Sequence, residues 1–218
     1  MTMAQEVFAI VDNAELRTTS VAEHIMSMPA LRNRPWTVEQ LDELIERREG
    51  HTPRYELVDG ALLVTPAPSD RHQRISFELA VLLRAYVLQH RLGEVRLGPG
   101  AVRLDSGTYF EPDVYVVPGV SGRRPVLGLP VTRILLAVEV LSPSSARHDR
   151  ITKRRFFQEH GVPDYWVIDG EARVFETWRP GDERVVLKDD SLAWQPQGAP
   201  TPFHLDVSQF FNAIADEE

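Results

Sequence analysis

The stretch LLAVEVLSPSS, residues 135–145, decides how this chain is read. Ile134, Leu135, Leu136, Ala137 and Val138 are apolar on both alternating faces, the mark of a central strand covered on each side. Glu139 interrupts the run, and Val140 and Leu141 resume it. An isolated carboxylate buried there costs several kcal/mol or more, so Glu139 requires a cationic side chain or a metal ion beside it.

Outward from this strand, Ser144 or Ser145 opens a helix from about His148 to His160, closed by Gly161 with Pro163 just beyond. DYWVID and RVFETW follow as strands around an Asp169-Gly170 hairpin, and a tail with Phe203, Leu205, Val207, Phe210 and Phe211 packs back on the body. Upstream, EVRLG, AVRLDS and DVYVVP read as strands. Before them, Ser69 or Asp70 caps a long helix to about His90, with Ile75, Leu79, Leu82, Leu83 and Tyr86 at helical spacing and Gly93 as its end. RYELV and ALLVTP flank Asp59-Gly60, a strong hairpin signal, and Thr37 with Gln40 caps the short acidic helix VEQLDELIERR. The order implies an α/β fold: a mixed β-sheet core flanked by helices, with an N-terminal helix and β-hairpin extension. Residues 1–34 read as a flexible arm, 35–212 as one domain and 213–218 as an acidic tail.

The chain has 218 residues and a net charge of -8. Taken alone, that charge argues against a generic polyanion binder. Its distribution matters more. Six arginines oppose Glu78 and Glu94 between Arg71 and Arg103, and five basic residues oppose three acids between Glu139 and His160. Only Lys153 and Lys188 are lysines, beside 22 arginines, which singles out each lysine. With no cysteine, disulfides and thiolate metal sites are excluded, and the seven histidines show no close ligand pairing, so any metal is held by oxygen. No apolar run reaches the ~18 to 20 residues of a membrane span, and the opening lacks a basic, apolar leader, so a cytoplasmic protein is expected, with no membrane partner.

Asp113 stands at the entry of one strand and Glu139 near the exit of another. If the strands are neighbours, their carboxylates converge as hard donors for Mg²⁺ or Mn²⁺, and the Val140 carbonyl adds a third oxygen. Such a metal suits phosphodiester hydrolysis. Asp149 and Lys153, four apart on the next helix, share a face, from which the ammonium can reach back over the strand to orient water or offset phosphorane charge. Glu56 in the first hairpin and His72 at the start of the long helix are further catalytic candidates, in reach of metal-bound water or a scissile phosphate.

Taken together, RYELVDGALLV, PAPSDRHQRI, EPDVYVV, LLAVEVLSPSS, the D-x-x-x-K of DRITK, and GVPDYWVID resemble the Uma-type restriction endonucleases, a group within the PD-(D/E)XK nuclease superfamily. The likeness spans about residues 36–211. It implies a restriction-endonuclease-like core, with Asp113 as the aspartate of the PD element and Glu139 as the second acid. The superfamily's simplest pattern places lysine two residues after that acid, where this chain has Leu141. The family moves the lysine to the next helix, which identifies Lys153.

Singly, each residue has a plainer reading: Pro112-Asp113 as a strand-entry turn, Glu139 as a buried ion pair with Arg103 or Arg133, Lys153 as a solvated helix charge, His72 as an ordinary first-turn residue, Glu56 as a cross-strand partner of arginine. Their order along the chain favours the first expectation, a Mg²⁺-dependent endonuclease acting on DNA, with a homodimer as the commonest assembly. Two rivals stay open. One is a non-catalytic nucleic-acid- or protein-binding module on a decayed nuclease scaffold, favoured by Leu141 and the net charge. The other is a hydrolase of a smaller phosphodiester.

Overall fold

The computed structural model describes residues 35–47, 53–98, 100, 102–103, 107–119, 129–130 and 133–215. The arm expected over 1–34 lies outside them, as do residues 216–218 of the tail. In chain order the elements begin with α1 (Val38–Arg47), β1 (Arg54–Val58), β2 (Ala61–Thr65), α2 (Asp70–Gln89), β3 (Gly93–Leu97), β4 (Val102–Arg103), β5 (Tyr109–Phe110) and β6 (Val114–Pro118). Then come β7 (Leu129–Pro130), β8 (Leu136–Val140), a π-helix (His148–Lys153) that runs into α3 (Arg154–Glu159), and β9 (Asp164–Asp169). The chain closes with β10 (Val174–Trp178), β11 (Val186–Lys188), β12 (Ser191–Trp194), β13 (Phe203–Asp206) and α4 (Val207–Ile214). Two units are distinguished, Met1–Ala67 with Arg103–Phe110, and Pro68–Val102 with Glu111–Glu218.

In the first unit the expected caps and turn are present. Thr37 N–H donates to Gln40 Oε1 at 3.1 Å and Gln40 N–H to Thr37 Oγ1 at 3.4 Å, a reciprocal capping box. Val38, Leu41 and Leu44 recur every third residue and are the buried stripe of α1. β1 and β2 pair antiparallel from Arg54↔Thr65 to Val58↔Ala61. Asp59 and Gly60 take φ of 48 and 81, both left-handed, as a two-residue hairpin turn demands. Arg103 grips Asp42 through both terminal nitrogens, at 3.0 and 2.6 Å, and lies over the Tyr109 ring. That guanidinium already has its carboxylate.

The second unit is built on a six-stranded sheet, β11-β10-β9-β8-β6-β3, in which β8 and β9 are parallel and the other neighbours antiparallel. Val114, Val116, Leu136, Val138, Val140, Trp166 and Ile168 turn one face of this sheet into the core beneath α2 and α4. Parallel neighbours need a crossover, and the π-helix with α3 supplies it on the opposite face. There Phe157 stacks on Tyr165 with ring centroids 5.1 Å apart. The face that carries Glu139 is therefore roofed by the segment that carries Lys153.

Several expected boundaries differ. Gly93 does not end the long helix; α2 stops at Gln89 with His90 as its cap, and Gly93 opens β3. A Cβ at Gly93 would lie 1.9 Å from the Val117 carbonyl oxygen, so close pairing with β6 demands glycine there. The Asp169-Gly170 hairpin is a four-residue loop, since Val174 pairs with Asp169. Asp169 Oδ1 accepts the N–H groups of Glu171 and Ala172, and this side-chain turn replaces the tight backbone one. The helix expected from His148 begins as a π-helix, with Arg154 N–H donating to the Asp149 carbonyl five residues back. No helix among the described residues is long and apolar enough to cross a membrane.

Candidate active site

β6 and β8 run antiparallel with Val114 opposite Val138. One step further along this register, Asp113 faces Glu139 across the two strands. The strand pairing starts at Val114, which leaves the N–H of Val140 beyond the ladder. Asp113 completes it: Val140 N–H donates to Asp113 Oδ2 at 2.9 Å. N–H and C=O of a strand residue point to the same side, so the Val140 carbonyl also looks toward Asp113.

The second partner of Asp113 comes from α2. Ser69 caps that helix and accepts the N–H of His72 at 3.2 Å, which fixes His72 in the first turn. Its Nε2 lies 3.0 Å from the same Asp113 Oδ2, and both side chains are more than nine-tenths buried. His72 is no ordinary solvated residue of a first turn. It holds the aspartate.

Glu139 finds its counter-charge in Lys153, with Nζ 2.9 Å from Oε1. The same ammonium lies 3.3 Å from Asp149 Oδ1. Glu139, Lys153 and Asp149 are 2%, 4% and 1% exposed, so this is a buried triad and not a solvated helix charge. The cation beside Glu139 is thus a lysine and not the arginine of the plainer reading. Tyr165 Oη donates to the Asp149 carbonyl at 2.9 Å and ties the π-helix to β9.

The loop LSPSS makes this return possible. Ser145 N–H donates to Ser142 Oγ at 3.2 Å and Ala146 N–H to the Ser142 carbonyl at 3.0 Å, turning the chain from β8 into the crossover helix. The sequence marks Asp149 only by its spacing from Lys153. The structure makes it a full member of the cluster. Glu111, two residues before Asp113, is also buried, and nothing in its sequence context separates it from a turn residue. Next along β6, burial pushes the Tyr115 hydroxyl above its ordinary pKa; Arg96 opposes that shift and Glu111 adds to it. Glu56 belongs to the first unit, buried on β1 opposite Leu63.

Among the described residues, no three or more His, Asp or Glu side chains are gathered as a ready metal cage. The donors offered are fewer: two carboxylates and one carbonyl, a set that suits Mg²⁺, which keeps several of its own waters. The acids point the same way: the Lys153 ammonium is shared by two carboxylates, Glu139 and Asp149, while Asp113 rests on His72 and the Val140 N–H, and a cluster this rich in carboxylates suits a dication. The residues present fit the ion.

Residues 38–208 match the sequence model of the Uma2 family, described as "Putative restriction endonuclease". An uncharacterized protein of Synechocystis sp. (strain ATCC 27184 / PCC 6803 / Kazusa) is 28% identical over 151 residues, or 66% of this chain and 83% of the relative. A crystal structure of "a putative nuclease belonging to DUF820" from Anabaena variabilis ATCC 29413 aligns with a TM-score of 0.66 at 22% identity, over 80% of this chain and 98% of that one. The mixed α/β, nuclease-like fold expected from the sequence is the fold the two share.

Proposed function

This chain belongs to the Uma2 family, and from that premise we propose that it hydrolyses phosphodiester bonds in DNA with Mg²⁺ or Mn²⁺ as cofactor. One observation carries the reading. Leu141 stands where the superfamily's simplest pattern has lysine, and Lys153, from another element, brings its ammonium to 2.9 Å from Glu139, which supports reading it as that lysine. A lysine drawn from the solvent to the one acid of a central strand is hard to explain as surface charge.

In this reading Asp113, Glu139 and the Val140 carbonyl hold the ion. When bound, it lowers the pKa of a water nucleophile and offsets charge on the scissile phosphate. His72 and the Val140 N–H fix the Asp113 carboxylate in one orientation, so it need not reorganise on binding. Lys153 places a positive charge beside Glu139, where it orients the attacking water or meets the phosphate oxygens. The decisive experiment incubates pure protein with supercoiled plasmid and Mg²⁺ or Mn²⁺. Nicking that disappears with EDTA and in Glu139→Ala supports the reading; equal nicking by that variant overturns it.

A second reading, binding without cleavage, is favoured by Leu141 at the superfamily's usual lysine position; many arginines of the basic stretches are engaged at home, which leaves fewer of them to meet phosphates. Arg74 pairs with Asp70, Arg96 with Glu94, Arg155 with Glu159, and Arg150 bridges Asp169 and Glu176. DNA affinity that persists in EDTA, with no heat of Mg²⁺ binding, would select it.

A further inference from the structure

We propose that Asp149 is a positioning residue that keeps the Lys153 ammonium in place when Glu139 turns its charge to a metal ion. The inference rests on the reading of Glu139 as a metal ligand and adds a residue to that site. In the structure one ammonium serves two carboxylates, Glu139 at 2.9 Å and Asp149 at 3.3 Å. A dication on Glu139 competes for that carboxylate and repels the ammonium beside it. Without a second anion, a lysine on a flexible four-carbon stem would swing away from the reacting groups.

Asp149 is placed to prevent this. It stands one turn before Lys153 in the same π-helix, so the two side chains share a face and move together. Its own backbone is fastened from two directions. The Asp149 carbonyl accepts Arg154 N–H, the five-residue bond that makes the helix a π-helix, and also Tyr165 Oη at 2.9 Å. Tyr165 is fully buried and pairs in register with Ala137, two residues before Glu139 on the adjacent strand. A continuous path of contacts thus sets the lysine's anchor relative to the strand it must reach. π-helical turns of this kind often sit at functional sites, where they re-aim a side chain.

The chain has just two lysines, which makes the test direct. With lysine side chains labelled by ¹⁵N, the buried Lys153 ammonium gives a signal distinct from that of Lys188. In the wild type this signal persists after Mg²⁺ is added. In Asp149→Asn it persists without Mg²⁺, held by Glu139, and broadens away with it. Tyr165→Phe, which keeps the ring and loses only the hydroxyl, shows the same loss at higher Mg²⁺ and is a second variant should Asp149→Asn fold poorly. In cleavage assays Asp149→Asn lowers kcat about 10- to 100-fold with KM for DNA unchanged. Asp149→Glu recovers part of it, and Asp149→Asn adds no further loss in a Lys153→Met background. A protein that cuts no DNA yet gives this Mg²⁺-dependent pattern refutes the nuclease reading and leaves the role of Asp149 standing. Retention of the signal and of kcat in both variants, or lost stability alone with turnover per folded molecule intact, overturns the inference.

Discussion

Lys153 Nζ lies 2.9 Å from Glu139 Oε1, fourteen residues away along the chain and buried with it. Removing one partner of such a pair strands the other in the interior. Lys153→Ala is therefore expected to destabilise the protein by about 3 to 5 kcal/mol, whereas the joint replacement Glu139→Gln, Asp149→Asn and Lys153→Met, which removes every charge of the triad, loses much less. Urea unfolding of the single and triple variants measures this. A single variant that costs under about 1 kcal/mol would mean that water already reaches the pair.

In the proposed site His72 acts through Asp113. His72→Ala removes one of the two partners seen on Oδ2, and the carboxylate gains freedom to rotate. Mg²⁺ affinity measured by calorimetry is expected to fall about 10- to 100-fold, the usual effect of losing a group that orients a ligand. His72→Asn, which restores a donor, should recover part of it. Unchanged affinity in both would remove His72 from the site.

The acid limb of stability has an identifiable contributor. Burial pushes the Asp169 carboxyl upward, but the Ala172 N–H, Arg150 and the Glu171 N–H together outweigh it and hold the group below its ordinary value. A depressed acid stabilises the fold above its unfolded pKa of 3.8, and that contribution disappears as pH falls through the lower folded value. Asp169→Asn should thus lower Tm at neutral pH and converge with the wild type once the pH falls below the lowered folded value. Salt should shrink the difference only in part, since the Asp169 side chain is 22% exposed. A gap that widens toward low pH contradicts the assignment. Asp164 behaves oppositely: burial raises it against Arg179 and Trp194, so its charged form weakens the fold as pH rises above 3.8.

Gly93→Ala tests the pairing of β3 with β6. Its Cβ would meet the Val117 carbonyl at 1.9 Å, which is backbone and has no rotamer in which to retreat. We expect loss of about 2 kcal/mol or more in chemical denaturation, larger than the few tenths typical of surface changes. Wild-type stability would show that this strand edge is looser than described.

Much of this was legible in the sequence because the signals were local. Thr37 with Gln40, Asp59-Gly60 and Ser69 each announce a cap or turn within four residues, and each is found as read. Glu139 was legible as a problem: an acid in an apolar strand needs a cation, and Lys153 answers it. The π-helix was not, because over His148–Lys153 a five-residue bond and a four-residue bond place the same side chains on almost the same face. The tail conceals a helix for the opposite reason. Val207, Phe210, Phe211 and Ile214 have full helical spacing behind the cap Asp206, yet only the long-range packing onto Phe175 distinguishes an eight-residue helix from a collapsed tail. The two bonds to Asp113 Oδ2 join residues brought together by the sheet and α2, and no spacing rule reports them.

The most direct test of the account is anomalous scattering from crystals of this protein grown with Mn²⁺. It predicts one strong peak within ligand distance of carboxylate oxygens from both Asp113 and Glu139 and of the Val140 carbonyl, with Lys153 still against Asp149. Crystals that bind Mn²⁺ elsewhere, with His72 and Lys153 still on Asp113 and Glu139 at saturating metal, would contradict it.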